Sequence, residues 1–432
     1  MKTKIITFVL LFITCCSCVF GSENFTINSK SAVAIDGDSG IVLYNKNATQ
    51  KVYPASTTKI LTAILAIEKL DLNKSLVVSK TAINIPWDSS SVYLKEGEVI
   101  TVNDLLYCLL LNSGNDAANV LAEAVSGEIN SFVELMNEKA SQIGCTNTHF
   151  TNAHGYSDDN HYTTSLDMAK IFRYCIQNET FNKIISTKSY IVEETNKTNE
   201  KRYLNNTNRL ILKKEDSIYA RPYEYCLGGK TGYTDEAGRT LVTYARKDNK
   251  TVIVAVFGAS SGGREDVRYT DTINLFEYAF NNFSQTTLAK TENYNFNYIN
   301  TNKKLNYCIG LKEDLKVLLA NNSFTDISYD INIEENNLIG LDYNNHTELV
   351  AGTITFKLLS QDNVTYEVVQ NLYLKDIQKY SEPIYINLLY ILLVIVSFVL
   401  LISLIFIIIL RFSKKRYKTT SISKNSRKAR RI

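Results

Sequence analysis

Tyr53-Pro54-Ala55-Ser56-Thr57-Thr58-Lys59-Ile60-Leu61-Thr62-Ala63 places a hydroxyl and an amine three residues apart where an apolar helix begins. Pro54 cannot lie inside a helix and biases Tyr53 towards an extended backbone. After it, Ile60, Leu61, Ile64, Leu65, Ile67 and Leu70 recur at helical spacing, so the helix is expected to start near Ser56. Residues at i and i+3 share a face, which would project Ser56 and Lys59 together from the first turn, beside unpaired backbone amides that favour a developing anion. A nucleophile, a base and part of an anion site thus fall within four residues.

Working outward, Ser31–Ile35 and Ile41–Tyr44 read as strands joined by the turn-forming Asp36-Gly37-Asp38-Ser39-Gly40. Helical spacing runs from about Val102 to Leu111 and again from Ala117 to Val125. Asn112-Ser113-Gly114-Asn115-Asp116 interrupts it, which predicts Ser113 and Asn115 on an exposed turn between two buried helices. Two more amphipathic helices are expected at Ile129–Ile143 and Leu166–Ile176. His149, His154 and His161 fall between them; without cysteines or paired carboxylates at ligand spacing they suit a hydrogen-bonded loop better than a metal site. From Gly228 the pattern turns to strands: Gly229-Lys230-Thr231-Gly232, Arg239–Arg246, a Lys247–Lys250 turn and Thr251–Phe257, closed by a helix from about Asp266 to Phe280. Strands at both ends and helices between them predict an α+β domain, an antiparallel sheet in which the first hairpin joins the last strands and helices pack on it.

The ends have their own character. Residues 1–21 have the layout of a secretory signal peptide, a basic start, a short apolar run and small residues up to Gly21. From about residue 293 to 380, short alternating runs predict a small all-β module. Residues 386–410 are apolar and uncharged; about 25 residues at roughly 1.5 Å each can cross a hydrocarbon core of about 30 Å. Arg411, Lys414, Lys415, Arg416 and Lys418 follow. By the positive-inside rule, residues 411–432 form a cytoplasmic tail and the bulk of the chain lies outside, on a single-pass anchor. The net charge of +3 is small and its excess sits in that tail, which argues against a nucleic-acid partner. Beyond the leader, Cys108, Cys145, Cys175, Cys226 and Cys308 show neither metal-site nor disulfide-scaffold spacing and read mostly as buried apolar residues.

A lone Ser-x-x-Lys carries little weight, since Ser421 and Lys424 repeat it in the tail. Ser56-x-x-Lys59 followed by Ser113-Gly114-Asn115 and Lys230-Thr231-Gly232 is a three-part set, and that set belongs to penicillin-binding proteins and class A β-lactamases. With Pro54-Ala55, Asp116-Ala117-Ala118, His154-Gly155, His161-Tyr162-Thr163, Tyr233-Thr234 and Ala237-Gly238, residues 28–283 resemble the low-molecular-mass serine D-alanyl-D-alanine carboxypeptidases, peptidase family S11. The stretch 293–380 resembles that family's accessory domain.

The resemblance implies a β-lactamase/transpeptidase-like fold. It also implies a hydrolase that removes the terminal D-alanine from peptidoglycan pentapeptide stems through an acyl-enzyme on Ser56, with β-lactam antibiotics as covalent inhibitors and no cofactor or metal. In that scheme Lys59 is the base, its amine neutral only if burial or a second cation such as Lys230 lowers its pKa. Ser113 relays a proton to the leaving amine, and Asn115 orients Lys59 and the substrate amide. Lys230, Thr231 and Arg264 receive the terminal carboxylate, with Arg268 close to Arg264 in sequence. The backbone amides of Ser56 and Tyr233 form the oxyanion hole. Tyr233 is a pocket wall or a sheet-packing residue. The strand Lys230-Thr231-Gly232-Tyr233 can also pair with substrate backbone.

Two alternatives stand beside this reading. A class A β-lactamase needs a Glu with Asn four residues later, and no Glu between Asn115 and Lys230 has Asn at that offset. A catalytically idle peptidoglycan-binding protein would have no need of both amines.

Overall fold

The protein is described here by a computed structural model covering residues 26–260, 266–300, 305–320, 324–338, 349–360, 365–379 and 384–428. The leader expected at residues 1–21 and Arg264 lie outside the described residues. Strands β1 (Ser31–Asp36) and β2 (Val42–Lys46) form the expected hairpin. A single 3-10 turn (Ala55–Thr58) then leads into α1 (Lys59–Lys69). The α-helix therefore begins at Lys59 rather than at Ser56. The cause is local: Ala55 sits at φ +49°, and both the amide and the hydroxyl of Thr57 donate to Pro54 O, at 3.2 and 2.7 Å, which closes a tighter turn.

Short strands β3 (Ser75–Val77) and β4 (Val99–Thr101) pair ahead of α2 (Val102–Leu110). Thr101 caps α2, accepting from Asp104 N at 3.0 Å and donating back to its carboxylate at 2.7 Å. Next come α3 (Asn115–Ser126), α4 (Ile129–Gln142), α5 (Ser165–Cys175) and α6 (Glu179–Ser186). The hydroxyl of Thr164 and the side-chain carbonyl of Asn178 cap α5 and α6 in the same way. Strands β5 (Ser189–Val192) and β6 (Arg202–Asn205) form a two-stranded ribbon, followed by β7 (Cys226–Thr234), β8 (Gly238–Lys247), β9 (Lys250–Ala259) and α7 (Val267–Asn282).

The main sheet is antiparallel in the order β2-β1-β9-β8-β7, so the N-terminal hairpin joins the last strands as the sequence pattern predicts. The tight β8–β9 turn rests on Asp248 and Asn249, both left-handed at φ +50° and +63°, the conformation that a two-residue hairpin of matching twist requires. Helix α1 is the centre of the helical layer. Every residue from Lys59 to Ala66 is buried, so it is apolar nearly all round, and Lys59 is the exception that needs an explanation.

The chain groups into two compact units, one of residues 1–290 with Glu313–Ile331 and Ile354–Gln370, the other of Thr291–Lys312, Asn332–Thr353 and Asn371–Ile432. In the first, β10 (Phe283–Ala289) runs on from α7, and among the later strands β11 (Asn295–Asn300), β12 (Leu305–Gly310) and β13 (Leu315–Ala320) it is β13 that pairs with it. Leu318 N also donates to the buried Asp36 carboxylate at 2.9 Å. These contacts hold part of the 293–380 stretch within the first unit. Beyond residue 323 lie β14 (Phe324–Ile333), β15 (Val350–Ser360) and β16 (Thr365–Lys379), in a sheet of order β11-β12-β16-β15-β14. The second unit ends in α8 (Ile384–Lys428), of which Tyr390–Arg411 is long and apolar enough to cross a membrane. The expected tail therefore continues as helix as far as Lys428.

Candidate active site

Burying a lysine costs free energy unless its amine is fully partnered, and Lys59 is wholly buried. Its Nζ donates to Ser56 Oγ at 3.0 Å, to Asn115 Oδ1 at 2.6 Å and to the carbonyl of His154 at 2.6 Å. Three elements supply the three acceptors: the 3-10 turn, the first residue of α3 and the 152–155 loop. Burial, and after it the charge of Lys230, push the Lys59 ammonium well below its ordinary pKa, against the opposing pull of Asp116. Once deprotonated, the amine would keep its two N–H groups on Asn115 and the His154 carbonyl and turn its lone pair to the Ser56 hydroxyl 3.0 Å away, which would then donate to it, the geometry of a general base.

Ser113 and Asn115 are only 8% and 4% exposed, which corrects the expectation of an exposed turn. Ser113, Asn115 and Asp116 are polar because their side chains face a buried cluster rather than solvent. Asn115 N donates to Ser90 O, and the buried Asp116 carboxylate accepts from Ser91 Oγ and from the amides of Val92 and Leu94. Ser113 is held at φ +64°, a strained conformation for a residue with a side chain, and its hydroxyl accepts from Lys230 Nζ at 3.1 Å. Lys230 is also buried and donates to Thr231 O at 2.9 Å; burial first, then the Arg268 guanidinium, lower its pKa to about 7. Two buried amines of lowered pKa are therefore each hydrogen-bonded to a serine hydroxyl, Lys59 to Ser56 and Lys230 to Ser113.

Strand β7 runs directly against the 3-10 turn. A Cβ at Gly232 would lie 2.9 Å from Ser56 N and 2.5 Å from Thr240 Oγ1, so only glycine lets the strand approach this closely. Tyr233 is half exposed, with its hydroxyl on Asp235 at 2.6 Å, so it is not a buried sheet-packing residue. Thr231 Oγ1 donates to Thr207 Oγ1 at 2.6 Å. Arg268, four residues after Arg264 in the sequence, is buried on Asp266 and on Thr240 O, at 2.8 and 3.4 Å.

The histidines take structural places. Thr151 N donates to His161 Nδ1 at 3.0 Å, which leaves Nε2 as the protonated nitrogen facing Thr58 Oγ1 at 2.8 Å. Burial lowers the pKa of His154 and of His161 to about 3, so both rings stay neutral. The sequence reading assigns no role in the site to the His154 carbonyl, Asp116 or Thr207. A backbone acceptor leaves no signal in residue type. Asp116 could have been found as the acid in the first turn of α3.

Residues 19–261, more than half of the chain, match the family model described as Peptidase_S11, D-alanyl-D-alanine carboxypeptidase. The D-alanyl-D-alanine carboxypeptidase DacF of Bacillus subtilis is 37% identical over 266 residues, 61% of this chain and 64% of that protein's length. A D-alanyl-D-alanine carboxypeptidase of a Streptomyces strain is 32% identical over 268 residues, 59% of this chain and 88% of that one. Among solved structures, penicillin binding protein 5 from Haemophilus influenzae superposes with a TM-score of 0.60 at 26% identity, covering 83% of this chain and 100% of that one. The motif order, the paired amines and these matches lead to one assignment: the chain belongs to the D-alanyl-D-alanine carboxypeptidase family, peptidase S11.

Proposed function

We propose that this protein is a serine D-alanyl-D-alanine carboxypeptidase that trims the terminal D-alanine from peptidoglycan pentapeptide stems and is acylated by β-lactams. The observation that carries the reading is the buried, pKa-lowered Lys59 amine, held at once by Ser56 Oγ and Asn115 Oδ1. In this scheme neutral Lys59 takes the proton of Ser56, and Oγ attacks the carbonyl carbon of the penultimate D-alanine. The amides of Ser56 and Tyr233 receive the negative oxygen; such donors are typically worth roughly 3 to 4 kcal/mol each. Collapse breaks the peptide bond. The leaving amine takes its proton through Ser113, whose hydroxyl the Lys230 amine holds in place, and Lys59 passes its own proton back into that relay. Water then cleaves the ester and restores Ser56.

In this reading Thr231 and Lys230 receive the substrate carboxylate, with Arg264 as a further partner for it. Asn115 would orient the substrate amide as well as Lys59. The leader pattern at residues 1–21 supports export. The apolar stretch Tyr390–Arg411, with basic residues after it, supports a single-pass anchor with the catalytic unit outside and the tail in the cytoplasm.

The test is to incubate the detergent-solubilised full chain with a peptide ending in D-Ala-D-Ala and measure free D-alanine, with fluorescent penicillin labelling in parallel. Release and a lasting label, both abolished in Ser56→Ala, are expected. Release unchanged in Ser56→Ala would overturn the reading, and rapid penicillin turnover without a lasting label would turn it to a β-lactamase.

A further inference from the structure

The carboxylate end of the site contains a hydroxyl that the mechanism above does not use. Between β6 and β7 the chain reads Asn206-Thr207-Asn208, with the two asparagines buried and the threonine exposed. Asn206 Nδ2 donates to the carbonyls of Ile185 and Thr187 at 3.1 and 2.9 Å, and its Oδ1 accepts from Asn208 N at 2.9 Å. Asn208 in turn donates to Thr243 Oγ1 at 3.2 Å and accepts from Leu210 N at 3.2 Å. Tyr269 Oη donates to the carbonyl of Thr207 at 3.0 Å. These hydrogen bonds of two buried amide side chains, with the one to the carbonyl, fix the backbone of one exposed residue. The only hydroxyl on that residue meets Thr231 Oγ1 at 2.6 Å.

We propose that Thr207 is a positioning residue for recognition of the substrate's free carboxylate, acting through Thr231; the inference rests on the carboxypeptidase reading. A hydroxyl has one proton to donate and two lone pairs that accept. In the absence of substrate, Thr231 donates to Thr207. When a carboxylate arrives, Thr231 must turn its proton to the anion, and its oxygen then needs a donor. Thr207 supplies one by reversing the same bond, with no heavy atom moved. The rotated pair makes the Thr231 hydroxyl a better donor, because hydrogen bonds in a chain polarise one another. The ligand class so selected is a peptide or β-lactam with an ionised carboxylate at this position.

The experiment compares full-chain wild type with Thr207→Val, Thr207→Ala and Thr207→Ser on two peptides, one ending in D-Ala-D-Ala as the free acid and the other as its C-terminal amide. For the acid, KM is expected to rise about five- to tenfold in the Val and Ala variants, the loss of one net hydrogen bond, with kcat within about twofold. Thr207→Ser should restore wild-type KM. The acid-to-amide preference, a ratio taken within each variant and so independent of how much protein is folded, should fall by the same factor. Equal losses on both peptides, or an unchanged KM for the acid, would overturn the inference while leaving the carboxypeptidase reading intact. An absence of D-alanine release by the wild type would overturn both.

Discussion

Gly155→Ala tests whether the 152–155 loop is the mould in which the Ser56 turn is cast. Gly155 has φ +86°, and a Cβ there would lie 1.8 Å from the Ala55 carbonyl oxygen and 2.8 Å from Thr58 Oγ1, where real Cβ contacts essentially never fall below 3.0 Å. The obstacle is backbone, so no side-chain rotation relieves it, and loop and turn must part by about 1 Å. The left-handed conformation costs roughly 1–2 kcal/mol for an L side chain. Parting the two segments also weakens two bonds of 2.6 Å that the loop accepts, from Lys59 Nζ to His154 O and from Thr62 Oγ1 to Ala153 O, each worth about 1 kcal/mol. The expected loss of stability is about 3 kcal/mol or more. A displacement of about 1 Å at Ser56 should slow acylation about 100-fold. Gly127→Ala is the control, because its φ is also positive, at +80°, but nothing lies within 4 Å of the added carbon; it should cost the conformational part alone, with acylation unchanged. Urea unfolding and time-resolved fluorescent penicillin labelling read both quantities. Were Gly155→Ala to label at the wild-type rate and unfold together with Gly127→Ala, the reasoning would be wrong.

Two further outcomes follow from buried charge. Lys230 has a folded pKa of about 7 against 10.5 for an unperturbed lysine, so the unfolded chain binds more protons between those values. Its contribution therefore favours folding above pH 10.5 and is lost as pH falls through 7. The melting midpoint of the wild type should rise with pH across that window relative to Lys230→Met, and parallel profiles would refute the assignment. Elsewhere, Glu98 is fully buried, and the Arg202 guanidinium grips both its oxygens at 2.7 and 2.9 Å while donating to Val92 O at 2.9 Å. Burial would raise the Glu98 pKa, but the hydrogen bonds from Arg202, Lys95 N and Thr195 outweigh it and hold the carboxyl below its ordinary value. Arg202→Met strands that carboxylate and should cost about 3–5 kcal/mol in urea unfolding, whereas adding Glu98→Gln to it should recover part of the loss; additive costs would refute the pairing.

The residue order alone was enough for the sheet and the three motifs, because strand alternation, helical spacing and turn residues are local signals. Arg239–Arg246 and Thr251–Phe257 announce β8 and β9 through their flanking turn, and Ser56 with Lys59 announces a shared face through spacing alone. Tertiary structure decided everything that depends on which segments meet. Nothing in Asn112–Asp116 distinguishes a solvent-facing turn from one folded into a polar core; its contacts with Ser90, Ser91, Val92 and Leu94 make that choice. The lowered pKa of Lys59 arises from burial and from Lys230, which is far away in the chain, and one of its acceptors is a backbone carbonyl that any residue at position 154 would carry. Thr207 is likewise one threonine among many until β7 brings Thr231 to within 2.6 Å of it. Composition and spacing determine which chemistry the chain can perform. Desolvation and contacts between distant segments determine which amine is neutral and which hydroxyl is held in place, because both depend on distances that only the folded chain defines.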